Sequence, residues 1–265
     1  PERGEVAMIS LRRIGVLALN TYREAVRDKL LYNLLLFAAL MIASSILLAQ
    51  LQIGKDERIY RDVGLGAIAF FGVLIAIFVG INLVYREIST KTVYTMLSKP
   101  VRRWEFLVGK YFGLLSLLAV EVAIMTACFL GVLVWKGSEF SIGLVWAIAM
   151  IYLELALVTA IAMFFSSFTS PYLSGMFTVA LWIVGHLLAD LRAFGQHTDI
   201  AGLRPLLETL YWTLPNLSRL DFKADASAGN PIELARAGMA ALYAVGYSLA
   251  LMLGAVVLFQ RRDFR

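Results

Sequence analysis

Charge is scarce in this sequence. Asp, Glu, Lys and Arg make up 16% of its 265 residues, where a soluble domain carries about 25%. Too few charges and too much apolar surface argue against a soluble globular enzyme, and the same imbalance excludes a disordered chain. A single cysteine, Cys128, excludes an internal disulfide framework and a Cys-rich zinc site. Catalytic signatures are missing as well: there is no HExxH, no GxSxG and no paired-Cys pattern. No GxxxxGK[ST] nucleotide loop is present, since Gly54–Lys55 runs into Asp56 and Gly109–Lys110 into Tyr111. We therefore expect no enzyme on this chain, and ATP-driven work would have to come from another one. A net charge of +5 could suggest nucleic acid. In an apolar chain the placement of charge matters more than its sum, so no nucleic-acid partner is expected.

What the chain has is apolar length. Hydrophobic residues make up 60% and mean hydropathy is +0.76. A spanning helix needs about 20 mostly apolar residues. Six runs qualify: 31–51, 64–85, 111–134, 143–165, 172–189 and 238–259. None alternates like an outer-membrane strand, and lipid offers no partner for open backbone groups, so helices are required. The expected fold is all-α: a polytopic membrane protein with six transmembrane helices in one domain, 1–265. Basic residues precede the first run, which argues against a cleavable signal peptide. The chain opens on Pro1, so its native start is expected upstream.

Orientation follows from Lys and Arg. With the N-terminus inside, the inner segments hold 15 of the 24 basic residues and the outer segments 9. The two short outer loops hold 4, against 12 in the N-terminal segment and the first inner loop. The positive-inside rule favours N-in and C-in.

The segments between spans carry their own signals. Residues 8–29 predict an amphipathic helix with Ile14, Leu17, Ala18, Tyr22 and Ala25 on one face and Arg12, Arg13, Asn20, Arg23 and Arg27 on the other. Such a helix lies in the headgroup plane, either as an anchor or as an elbow that moves with a cytoplasmic partner. Residues 86–110 form a basic inner stretch that could simply set topology. Its Val93, Tyr94, Met96 and Leu97 argue for a protein surface that covers them. Its helix should end near Ser98–Lys99, before Pro100, with Arg102, Arg103 and Trp104 at the interface of the third span. The outer segment 190–237 predicts a helix over Leu203–Leu214, admitting Pro205 early and closed by Pro215. Tyr211 and Trp212 suit an aromatic belt, and Lys223–Pro231 reads as loop. The segment is either a connecting loop or a pair of short helices capping a pathway.

Polar residues inside the spans stand out. Glu121 and Glu154 are expected either to line a translocation pathway, with Asn82, or to form neutral interhelical clamps. Two acids alone make a weak metal site, so no metal is expected. Gly72, Ala76 and Gly80 recur every four residues, which suits tight packing within the bundle or a dimer face. Ser44 and Ser45 could hydrogen-bond across helices. His186 and Asp190, one turn apart, could bond locally, and Cys128 reads as a small buried residue.

Three stretches carry a resemblance. They are ALNTYREAVRDKLLYNLLLF (18–37); Arg86-Glu87-Ile88 through Thr92 with Leu97-Ser98-Lys99-Pro100-Val101 and Trp104-Glu105-Phe106-Leu107-Val108-Gly109-Lys110; and Leu214-Pro215-Asn216-Leu217-Ser218. In this order the chain resembles the membrane subunit of ABC-2 type exporters, and within them the subgroup that includes copper-processing permeases of nitrous-oxide reductase maturation. The resemblance implies a permease driven by a separate ABC ATPase, which would hold ATP and Mg. It makes 86–105 a coupling region, with Glu87, Thr92, Tyr94, Met96, Leu97, Ser98, Arg102 and Arg103 against the ATPase. It also makes 8–29 an elbow helix that presents Arg13, Arg23 and Arg27. Short outer helices in 190–237 would gate the exit. A second permease chain would complete the unit in a bacterial inner membrane, with room for a periplasmic accessory protein. The cargo does not carry over. The alternative reading is an ATP-independent channel or proton-coupled carrier using Glu121 and Glu154.

Overall fold

A computed structural model describes residues 2–50, 56–89, 102–138, 140–197 and 202–261. Among these residues all regular structure is helical. The order is α1 (Glu2–Val26), α2 (Lys29–Gln50), α3 (Asp56–Ser89), α4 (Arg103–Trp135), α5 (Ile142–Ser166), α6 (Pro171–Gln196), α7 (Leu203–Thr213), a 3-10 turn η1 (Leu217–Leu220), α8 (Lys223–Ala228) and α9 (Leu234–Arg261). Five helical stretches are long and apolar enough to cross a membrane: Arg58–Ile81, Arg103–Trp135, Ile142–Ser166, Pro171–Gln196 and Leu234–Phe259. In α2, the expected first span, the apolar stretch Leu31–Ser45 is shorter, although the whole helix has 22 residues.

The helix starts follow from local chemistry. At α5 the Ser141 hydroxyl accepts from the Gly143 N–H at 3.2 Å, which satisfies one of the unpaired donors of a first turn. At α6, Pro171 stands in the first turn, where its missing N–H costs nothing. Between them Thr169 Oγ1 donates to the Phe165 carbonyl at 2.8 Å and Ser167 Oγ to the Phe164 carbonyl at 2.7 Å, closing the short turn between the two helices. α4 begins eight residues before the expected apolar run, because Glu105 folds back onto the Arg102 N–H at 2.9 Å. At 33 residues it measures about 50 Å. That exceeds the roughly 30 Å hydrocarbon core, so part of it stands beyond the core.

α5 is the central helix. From Leu157 to Met163 no residue is exposed at all, as expected of a helix that is apolar around its whole circumference. α3, α4, α6 and α9 pack around it. Gly72 lets α3 approach, since a Cβ there would lie 2.7 Å from Leu155 Cδ1. Ala76 is buried on the same stripe, so this small-residue pattern serves packing within the bundle. The outward faces of α2, α6 and α9 stay apolar: Leu36, Phe37, Met176, Ile183, Leu242 and Leu253 are all exposed. Faces of this kind suit lipid or another chain.

The stretch after α7 turns back into the bundle. Asn216, Leu217, Leu220, Phe222, Ala226 and Ser227 are buried. η1 packs on α5, α6 and α9, and α8 packs on α3 and α5. Non-helical backbone at such a place requires protein around it. Gly185 of α6 makes the close fit possible, since a Cβ there would stand 2.8 Å from the Pro215 carbonyl oxygen.

Several expectations are corrected. Lys223–Ala228, read as loop, is α8, anchored by the buried Phe222 and started by Asp221 Oδ1, which accepts the Lys223 N–H at 3.1 Å. It ends at Gly229 with φ of 75°, a conformation glycine adopts freely. Ser44 and Ser45 donate back to Met41 and Ile42 of their own helix, at 2.7 and 2.6 Å, instead of across helices. Cys128 is exposed, on an outward face of α4.

Candidate functional site

Three polar clusters interrupt the apolar bundle. The first lies at the end that carries α1. Glu105, with no exposed surface, accepts from Ser10 Oγ at 2.7 Å and from the Arg102 N–H at 2.9 Å, and Arg13 Nη1 stands 3.8 Å away. One carboxylate thus joins α1 to the first turn of α4. Two glycines bring the helices together below it. A Cβ on Gly109 would meet Leu17 Cβ at 2.6 Å, and one on Gly113 would meet the Ala18 carbonyl oxygen at 2.6 Å. Small residues at this spacing permit such contact. Ile14, Leu17, Ala18 and Ala25 form the docked face of α1, as the helical wheel predicts, while Arg23 and Arg27 are exposed. α9 is tied in at the same end, where Phe106 stacks on Phe259 and Arg103 Nη1 donates to the Phe259 carbonyl at 3.4 Å.

The second cluster lies in mid-bundle. Glu154 of α5 is buried, and its Oε1 accepts from Trp182 Nε1 of α6 at 3.1 Å and faces His186 Nε2 at 3.3 Å. His186 Nδ1 lies 3.1 Å from the Trp182 carbonyl oxygen. The expected His186–Asp190 pairing gives way to this contact with Glu154, because a buried carboxylate is the stronger acceptor. Glu154 Oε2 has no hydrogen-bond partner among the described residues. Glu121 of α4 is equally buried, and neither of its oxygens has one. The two acids therefore sit in different surroundings: one is engaged by a neighbouring helix, and the other stands by itself in the apolar bundle.

The third cluster lies at the opposite end. Tyr211 of α7 accepts from Arg219 Nη2 at 3.2 Å, and the Arg192 guanidinium of α6 lies 4.4 Å from its ring centre. The hydrogen bond from Arg219 holds the Tyr211 phenol below the usual tyrosine range, and the nearby charges of Arg219 and Arg192 add to that against partial burial. Tyr243 and Tyr247 of α9 complete the cluster. The Asn216 N–H donates to the Tyr243 hydroxyl at 2.8 Å, and Tyr247 donates to the Thr213 carbonyl at 2.7 Å. The structure thus gives Tyr211 charged partners, where the sequence suggests only an interfacial aromatic; Trp212 is largely exposed.

Of the residues expected against an ATPase, Arg102 and Arg103 are described, at the start of α4. Glu87 lies near the C-terminal end of α3. Its side chain and that of Asn82 lie outside what is described, as do Thr92, Tyr94, Met96, Leu97 and Ser98 altogether. Sequence reasoning missed Glu105 and the Gly109/Gly113 pair as a joint. The GxxxG spacing 109–113 was the available signal, whereas Glu105 and Ser10 are 95 residues apart with nothing local to connect them.

Comparison with curated proteins returns no match to the chain. A family model described as ABC-2 family transporter protein matches residues 16–264, nearly the whole chain. That match does not single out the copper-processing subgroup. The spans, their order and this match agree: the chain belongs to the ABC-2 transporter family as a multi-pass membrane protein.

Proposed function

We propose that the chain is the permease half of an ATP-driven transporter and that its motor is a separate ABC ATPase, which supplies ATP and Mg. The carrying observation is the family match over 16–264 in a sequence without a nucleotide loop of its own. On this reading the N- and C-termini face the cytoplasm of a bacterial cell, and residues 8–29 and 86–105 meet the ATPase. Two permease chains form the unit, which a periplasmic accessory protein could join. The Glu105 joint supports a mechanical route. A push delivered to 86–101 reaches Arg102, passes through Glu105 into α1 and α4 together, and reaches α9 through Phe259. α5, wholly buried from Leu157 to Met163, gives these helices a common core to move against, and the segment 215–227 closes the opposite end in alternating access. The test is co-expression with the genes that flank its own, any ABC ATPase gene among them included. A stable complex is expected, in which Leu97→Asp, or charge reversal at Arg102 and Arg103, uncouples hydrolysis from transport. Protein that never retains an ATPase overturns the proposal.

A second reading, an ATP-independent proton-coupled carrier, draws on the Glu154–His186 contact. It requires that a pH gradient alone drive flux, with loss of flux on replacing Glu121 and Glu154 by Gln.

A further inference from the structure

The Glu154 cluster has more acceptors than protons. Both nitrogens of His186 face oxygens: Nδ1 the Trp182 carbonyl and Nε2 the Glu154 carboxylate. A neutral imidazole carries one N–H and can satisfy only one of them. The pair therefore holds one further proton, as imidazolium and carboxylate or the equivalent, and is neutral overall. A neutral pair is the form a low-dielectric bundle tolerates. Glu154 Oε1 is fully used, by the Trp182 N–H and by His186. Oε2 is buried and accepts nothing from the described residues. A buried carboxylate oxygen without a partner calls for one, and beside His186 and Trp182 a cationic donor is the kind that fits.

The surroundings select that donor. Trp182 lies with its ring 5.2 Å from His186, edge to face, so an aromatic ring stands beside the carboxylate, and such rings attract cations. The groups facing His186 are Glu154 from α5, Trp182 from its own helix and, farther off, Lys223 of α8. Lys223 is itself paired with Asp221 at 3.0 Å. Among the described residues no three His, Cys, Asp or Glu stand together, so the cluster is short of ligands for a divalent metal. Access comes from the His186 side: its side chain is 24% exposed, against 2% for Glu154. The turned-in segment closes over this position, because Gly185, next to His186, touches Pro215 and Leu217.

We propose that Glu154, His186 and Trp182 form a cargo contact for an organic ammonium group, which binds in exchange for one proton. The arriving R–NH3+ donates to Glu154 Oε2. The proton on His186 Nε2 passes through the part-exposed imidazole to the aqueous side of the membrane, and Nδ1–H keeps its bond to the Trp182 carbonyl. No covalent bond forms or breaks, and one positive charge replaces another, so the site stays neutral. This inference names the cargo class for the permease proposed above and rests on that reading.

The test uses the permease with its co-purified ATPase in lipid nanodiscs, without nucleotide, and benzylammonium as probe with benzyl alcohol as its neutral counterpart. Binding is followed by Trp fluorescence and proton release by a pH dye in weak buffer. Wild type is expected to bind benzylammonium with release of about one proton and to bind benzyl alcohol at least tenfold more weakly, the scale of a lost charge-assisted hydrogen bond. Glu154→Gln keeps an acceptor for Trp182, and so keeps the clamp, yet should bind the probe at least tenfold more weakly. His186→Gln leaves Glu154 to hold that proton itself, so it should still bind the probe and release about one proton, whereas Glu154→Gln should release none. Equal binding by wild type and Glu154→Gln, equal binding of the alcohol, or proton release unchanged in Glu154→Gln overturns the site and leaves a structural clamp. If Glu154→Gln fails to assemble, the wild-type proton count and the comparison of benzylammonium with benzyl alcohol decide. If no ATPase co-purifies, the same titration of the full permease chain judges the site, while the missing partner judges the motor.

Discussion

Replacing Glu105 with Ala should free α1 from α4 while leaving the rest of the bundle folded. The carboxylate is wholly buried and accepts from Ser10 Oγ at 2.7 Å and the Arg102 N–H at 2.9 Å. A hydrogen bond to a charged group contributes about 1.5–3 kcal/mol, and loss of the helix-start contact costs about 1 kcal/mol. Arg13, half-exposed at 3.8 Å, adds less than about 1 kcal/mol. These contributions share one carboxylate and do not simply add, so about 3 kcal/mol is a fair total, or roughly a hundredfold in the local opening equilibrium. Hydrogen exchange reads this directly. Amides from Ile14 to Ala25 should exchange about a hundredfold faster in the variant, while those of the α5 core stay protected. Glu105→Gln keeps the shape and one acceptor, and should fall between the two. Unchanged exchange along α1 in Glu105→Ala would refute the joint and leave only the glycine contacts to hold the helix.

Further outcomes follow from other contacts. Gly113→Val places a Cβ 2.6 Å from the Ala18 carbonyl oxygen, so α1 should shift and its amides from Ile14 to Ala25 should lose exchange protection. Gly185→Ala meets the Pro215 carbonyl oxygen and should loosen the turned-in segment, read as faster proteolysis within 198–230. The Tyr211 phenol should titrate below its ordinary value of about 10, seen as the difference in tyrosinate absorbance between wild type and Tyr211→Phe. The sign is that of a depressed acid: the phenolate–arginine attraction grows as pH rises through the folded value and is complete above the unfolded one, so α7 should be held more tightly at alkaline pH. A midpoint at or above 10 would contradict the Arg219 contact.

What the sequence made legible, and what it did not, has a physical pattern. Apolar length and helical period depend on neighbours in the chain, and they located every described span to within several residues. The amphipathic face of α1 was readable for the same reason. Glu105 extended α4 backward through a three-residue contact with Arg102, a signal present in Arg102-Arg103-Trp104-Glu105 but easily taken for a loop. Helix α8 hid behind the polar, glycine-bearing KADASAGNP, because its stability comes from burying Phe222 and Ala226 against distant helices. The His186–Glu154 contact joins residues 32 apart on antiparallel helices, and no local spacing announces it. His186 pointed locally toward Asp190, and only the packing of α6 on α5 offered the better acceptor.

The proposed grip between permease and motor is tested most directly by photo-crosslinking from position 97 in the co-expressed, membrane-embedded complex. A single dominant adduct to the ABC ATPase is expected, strengthened by ATP and absent when the probe is moved to the exposed outer face of α9 at Leu242. No ATPase adduct from 97, nor from 94 or 102, would contradict it.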